Sequence, residues 1–210
     1  MQKTAIILGA TGLTGSLLLE QLLTDTNYST IKLFSRTPSG ISHPKVKEYI
    51  GDLLHLETFT EDLTGDEIYI CIGTTKKKTP DSNLYRKIDL GIPSQAASIC
   101  KANGVSKLSV VSAIGANSKS SIPYNKIKGE MEEAVMGAEI EHTYILRPSF
   151  ITGNRQEQRA GEKMVIAVFK FFKFLIPKKY RAVEAKAIAA KMIQLCNSNE
   201  PSRIIESSEI

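Results

Sequence analysis

Residues 5–19 read A-I-I-L-G-A-T-G-L-T-G-S-L-L-L, with Gly9, Gly12 and Gly15 spaced three apart. Before them, residues 4–8 are an apolar run of strand character. After them, residues 13–23 repeat apolar side chains at helical spacing. Glycines at a strand-to-helix turn have a mechanical meaning. Gly9 lets the chain turn sharply, Gly12 leaves the backbone open to a pyrophosphate, and Gly15 lets the helix pack closely on the strand. The helix N-terminus then offers free N–H groups and a partial positive charge to phosphate oxygens. Thr11, Leu13 and Thr14 belong to the same expected cofactor-binding turn.

Outward from this turn, further strands are expected at 31–35, 46–50, 67–72, 107–112, 143–147 and 203–206. Helices are expected at 54–63, 82–102, 122–135, 156–175 and 183–196. Strands that are nearly all apolar, alternating with helices, imply a parallel sheet covered on both faces. The fold class is therefore α/β: a Rossmann-type, doubly wound, mainly parallel sheet of about seven strands, with a small C-terminal helical substrate region. A length of 210 residues and a 42% hydrophobic content suit one domain over 1–210, in which 148–182 is the substrate-side or lid segment.

Composition narrows the function classes. Cys71, Cys100 and Cys196 are far apart and lack metal-ligand spacing, which points to a reduced, cytoplasmic protein. Three scattered histidines, His43, His55 and His142, argue against a metal site. The apolar stretch before Gly9 is too short for a signal peptide, and no run of about 20 uncharged apolar residues suggests a membrane span. Six of the 27 basic residues fall between Lys163 and Arg181 without an acid among them; the remaining 21 face 22 acids. Basicity this local argues against a nucleic-acid surface. Phe169, Phe171, Phe172 and Phe174 share that stretch, and Pro177 closes it. It suits a helix over the substrate cleft, with lysines reaching water past their own stems. A homodimer contact and a peripheral membrane or partner-docking helix are the other uses.

The end of the second strand selects the cofactor. Residues 33–38 read L-F-S-R-T-P, without the acid that would accept the ribose hydroxyls of NAD. Ser35, Arg36 and Thr37 suit a 2′-phosphate instead, Arg36 through parallel N–H groups. NADP(H) is therefore expected in preference to NAD(H). Gly73, Thr74 and Thr75 end strand four, where a glycine lets the backbone pass close to the cofactor.

Residues 124–128 read Y-N-K-I-K and place Tyr124 and Lys128 on one helix face. An ammonium beside a phenol, with an oxidised nicotinamide nearby, lowers the phenol pKa from about 10 by about 1–3 units. Tyr124 is then the expected acid/base, Lys128 also holds the nicotinamide ribose, and Ser112 in V-V-S-A hydrogen-bonds the same carbonyl.

The A-T-G-x-x-G turn resembles that of extended and atypical short-chain dehydrogenases. C-I-G-T-T (71–75), S-A-I-G-A (112–116), Y-N-K-I-K-G-E (124–130), L-R-P-S-F (146–150) and R-Q-E-Q-R-x-G-E (155–162) follow in order. Together they resemble the Tat-interacting-protein-like branch, from the first strand to about residue 162. The resemblance implies one NADP(H)-binding domain with a minimal substrate region. It also implies Asp52 and Leu53 near the adenine, Arg147 and Pro148 at the nicotinamide end, and residues 155–157 beside the substrate. Asp52 equally suits a helix N-cap. Many relatives carry a second serine after the strand-five serine, and any of Ser118, Ser120 and Ser121 is a substitute; here that second position is Ala113. The expected function is an NADP(H)-dependent oxidoreductase that passes hydride to a carbonyl-like small molecule. The alternative is a non-catalytic NADPH-binding redox sensor or protein-interaction module. A sugar-nucleotide epimerase ranks below both, because 210 residues leave little room for a nucleotide-sugar lobe.

Overall fold

The computed structural model describes residues 2–153 and 177–210. In chain order its strands are β1 (Lys3–Leu8), β2 (Tyr28–Ser35), β3 (Val46–Ile50), β4 (Glu67–Ile70), β5 (Lys107–Val111), β6 (His142–Arg147), β7 (Ile151–Thr152), β8 (Val183–Glu184) and β9 (Arg203–Glu206). The helices are α1 (Leu13–Thr24), α2 (Ser82–Arg86), α3 (Ile92–Ala102), α4 (Pro123–Gly137) and α5 (Ala185–Cys196).

Side-chain alternation along β1 sets the layers. Ala5 and Ile7 pack with Leu18, Leu19 and Leu22 of α1 and with Ile188, Met192 and Leu195 of α5. Ile6 and Leu8 point the other way, into a cluster holding Ala96, Ala97 and Cys100 of α3 and Met131 and Val135 of α4. All four β1 side chains are fully buried, which only helices on both faces achieve for a parallel strand.

The main sheet has seven parallel strands in the order β3-β2-β1-β4-β5-β6-β9. This is the doubly wound α/β arrangement expected from the sequence. The winding reverses between β1 and β4, and the crevice at their carboxyl ends is where such sheets bind ligands. A second, two-stranded parallel sheet pairs β7 with β8.

Some elements depart from expectation. Residues 82–102 are not one helix: a π-helical turn, Lys87–Gly91, separates α2 from α3. Pro93 has no N–H for the carbonyl of Asp89 four residues back, and the ladder widens there. Residues 53–59 form a 3-10 helix rather than an α-helix over 54–63, interrupted at His55. β2 begins at Tyr28, because this fully buried ring pairs across to Lys3. β4 stops at Ile70, so Cys71 to Thr75 belong to the loop that follows. Val183 and Glu184 are extended rather than helical, with Val183 paired to Ile151. The helix expected at 156–175, the pocket residues expected at 155–157 and the phenylalanines at 169–174 lie outside the described residues. Among the described residues no helix is long and apolar enough to cross a membrane.

Candidate functional site

The glycine turn connects β1 to α1 at the winding reversal. Gly9 has φ +92°, and a Cβ there would lie 2.9 Å from the Cys71 carbonyl carbon. A Cβ on Gly15 would come within 2.1 Å of the Gly9 oxygen, so helix and strand can approach only because Gly15 has none. Gly12 is different: its nearest would-be contact is 3.3 Å away, and it N-caps α1 without a side-chain hydrogen bond. The first turn of α1 holds no acid. Among the described residues no acceptor takes the N–H of Leu13 or Thr14. The Leu13 side chain is held against Gly153, where a Cβ would lie 2.9 Å from it. Free donors, small residues and no competing carboxylate fit a diphosphate.

At the end of β2, Ser35 Oγ donates to the Thr37 carbonyl at 2.8 Å and shapes the turn around Arg36. Arg36 is exposed and has no ion-pair partner among the described residues. Asp52 accepts from the Leu54 N–H at 3.0 Å and caps the 3-10 helix, while Leu53 is buried in the core. Asp52 is thus the N-cap that its position after β3 also suited.

The β4 loop and α4 meet at a residue that sequence reasoning passed over. Asp89, in the π-helical turn, is 1% exposed. It accepts from the Thr74 N–H at 2.8 Å and from Lys128 Nζ at 3.1 Å. Lys128 is itself buried, and a Cβ on Gly73 would contact both members of the pair, at 3.4 and 3.9 Å. One buried carboxylate therefore ties together the β4 loop, the π turn and α4.

Tyr124, one helical turn before Lys128, is half-exposed. It lines a cleft of ≈ 370 Å³ with Thr74, Thr75, Lys76, Ser82, Tyr85, Pro123 and Ile127. The protein packed around Tyr124, and then the Asp89 carboxylate, push its phenol up to about 12. This reverses the expected lowering. The Lys128 ammonium is matched by Asp89, so it does not stabilise a phenolate in the protein without ligand.

Ser112 is engaged within the protein. It is buried and its Oγ donates to Glu132 Oε1 at 2.5 Å. Arg147, expected at the nicotinamide end, clamps the same carboxylate, with Nε to Oε1 at 2.9 Å and Nη2 to Oε2 at 2.5 Å. Its Nη1 reaches Glu206 at 3.2 Å. Neither Ser112 nor Arg147 lines the Tyr124 cleft. Both belong to a hydrogen-bonded network that joins the end of β5 to β6, β9 and α4. Pro148 is buried next to it, its carbonyl accepting from the Ile114 N–H. Two of the three serines considered as substitutes are engaged: Ser118 donates to Glu133, and Ser120 Oγ accepts from the Ile122 N–H; Ser121 is exposed.

Gly129 explains part of the Y-N-K-I-K-G-E motif. A Cβ there would lie 2.1 Å from the Ser118 nitrogen, so its absence lets the loop after β5 rest on α4. A signal for Glu132 was present, since Tyr124, Lys128 and Glu132 recur every four residues on one helix face. Asp89 left only a weak one, an acid in the apolar run K-I-D-L-G-I.

A protein-family model described as NAD(P)H-binding matches residues 9–199. The chain belongs to this NAD(P)H-binding family. The protein HTATIP2 of Rattus norvegicus is 30% identical over 164 residues, covering 76% of this chain and 67% of that protein. The mitochondrial protein FMP52-1 of Scheffersomyces stipitis is 32% identical over 161 residues, covering 74% and 70%. These relatives place this NAD(P)H-binding chain in the Tat-interacting-protein-like branch of atypical short-chain dehydrogenases. The fold matches the Bordetella bronchiseptica enzyme WbmG, solved in complex with NAD, at a TM-score of 0.76 and 13% identity. That match covers 100% of this chain and 74% of the other. Fungal relatives are named mitochondrial, so the cytoplasmic location expected from the cysteines finds no support among them.

Proposed function

We propose that this NAD(P)H-binding chain is an NADP(H)-dependent oxidoreductase acting on a carbonyl-bearing small molecule, with Tyr124 as the proton donor. The observation that carries it is the half-exposed Tyr124 in a cleft shared with Tyr85, Pro123 and Ile127, one turn from the buried Asp89–Lys128 pair. Bound NADPH supplies the hydride that reduces the carbonyl carbon. The chain's part is to hold the diphosphate on the α1 N-terminus, to orient the nicotinamide ribose with Lys128, and to protonate the oxygen. A phenol pushed up to about 12 is protonated throughout the neutral range, which suits a donor to a nascent alkoxide, a stronger base than the phenolate left behind. Tyr124 gives its proton to the oxygen as the carbonyl becomes an alcohol, and recovers one from water.

Tyr124→Phe is expected to lower turnover by roughly 10²- to 10⁴-fold across a panel of aldehydes and ketones, followed as NADPH oxidation. Turnover untouched by the substitution would refute the assignment. Arg36, exposed and without an ion-pair partner among the described residues, is the expected 2′-phosphate ligand. Arg36→Ala should weaken NADPH binding by roughly ten- to hundredfold, as a charged hydrogen bond of about 1.5–3 kcal/mol implies, and leave NADH unchanged. Calorimetric titration with both cofactors reads this directly, and equal wild-type affinities would remove the NADP preference.

One observation favours the second reading, a non-catalytic NADPH-binding sensor. The Ser112 hydroxyl is committed to Glu132, which leaves the carbonyl without the second donor expected from this serine. If no compound gives turnover that depends on Tyr124, this reading replaces the first.

A further inference from the structure

The Tyr124 cleft has a mixed lining. Tyr85, Pro123, Tyr124 and Ile127 supply its apolar and aromatic part; Thr74, Thr75, Lys76 and Ser82 supply its polar part. Among the described residues no carboxylate lines it, and Lys76 is the one charged residue of its lining. Its Nζ donates to Ser82 Oγ at 2.9 Å and stands 6.0 Å from the centre of the Tyr85 ring. Both are neutral, and among the described residues neither Lys76 nor Lys77 has an ion-pair partner. Asp81 lies close by in sequence but faces away to cap α2, accepting from the Leu84 N–H at 2.6 Å. The Lys76 ammonium is thus held at the cleft by a hydroxyl and a ring face, with no carboxylate paired to it among the described residues.

Resting on the oxidoreductase reading, we propose that the substrate is a carbonyl compound carrying a carboxylate. Lys76 and the Ser82 hydroxyl bind the carboxylate, and Tyr85, Pro123 and Ile127 take the apolar body between it and the carbonyl at Tyr124. Lys76 is a specificity residue: it binds one end of the substrate and takes no part in proton transfer. Lys76 is exposed, so its attraction for the carboxylate is partly screened by water, and the discrimination comes from the hydrogen bonds that it and Ser82 make together. A single charged hydrogen bond of this kind is worth roughly ten- to hundredfold in binding.

The test compares 4-carboxybenzaldehyde with its neutral methyl ester, methyl 4-formylbenzoate. The wild-type protein should show a KM for the acid at least tenfold below that for the ester. Lys76→Gln should erase this difference and leave kcat within about twofold, and Lys76→Arg should restore it. A KM ratio unchanged by Lys76→Gln, or a preference for the ester, would overturn the proposal. Direct titration of both probes, read by saturation-transfer NMR, separates the two levels of the argument. If neither aldehyde is reduced, the oxidoreductase reading is decided by the wider aldehyde and ketone panel, and the anion anchor by binding alone. The anion anchor then stands only if the acid binds at least tenfold tighter than the ester and Lys76→Gln removes the gap; equal affinities overturn it as well.

Discussion

Two fully buried carboxylates sit at opposite ends of the sheet, and the protein treats them differently. Asp89, at the carboxyl end, is matched by the Lys128 ammonium and by a backbone N–H. Glu67 opens β4 at the amino end and is 0% exposed. Its Oε1 accepts from the Tyr69 hydroxyl at 3.1 Å, and the Tyr28 hydroxyl stands 3.2 Å from that of Tyr69. Its Oε2 has no hydrogen bond and sees only the half-buried Lys3 ammonium at 3.5 Å. Burial consequently pushes the Glu67 carboxyl up, despite the opposing influence of the tyrosines and Lys3. A buried charge with a full set of partners is stable enough to position other groups; one with an orphaned oxygen is a pH-dependent liability.

The largest effect separating these ends is expected at Asp89. Asp89→Ala leaves the Lys128 ammonium buried without its partner, a change that costs about 3–5 kcal/mol. Urea denaturation should show it, and a loss below about 1 kcal/mol would erase the contrast with Glu67. The milder Asp89→Asn also removes the charge that raises Tyr124, so the alkaline limb of the kcat/KM profile should move to lower pH. An unmoved limb would detach Tyr124 from Asp89.

The smaller effect is expected at Glu67, and its sign is opposite. A carboxyl whose folded pKa is raised holds its proton more tightly in the folded chain. Stability then falls as pH rises from the ordinary carboxylate value through the raised one, and the loss is complete above it. Glu67→Gln removes that dependence. The variant should be more stable than the wild type at pH 8 by about 1 kcal/mol and equal to it near pH 4. Destabilisation at pH 8 would mean that the Lys3 contact outweighs the desolvation of the charge.

Much of the framework was legible in the sequence because its cause is local. The apolar run of β1, the helical repeat of α1 and the three glycines between them carry their own instructions: period, turn and close approach. The pairing of Tyr124 with Lys128 on one face of α4 was legible for the same reason. The interruption at Lys87–Gly91 was readable from Pro93 but is easily outweighed by the helical pattern on either side. Asp52 satisfied two readings at once, and its hydrogen bond to Leu54 selected the cap.

By itself, then, the sequence determined an α/β domain with a glycine turn between its first strand and helix, an arginine at the end of the second strand, and a tyrosine–lysine face. These depend on neighbours within one or two turns of chain. Only the tertiary structure decided which charges meet. It gave Lys128 to Asp89, gave Ser112 and Arg147 to Glu132, and left Lys76 at a cleft that no carboxylate lines among the described residues. The physical reason is that a charge acts through its distance to other charges and its exposure to water, and both are set by elements that come together only when the sheet closes its layers.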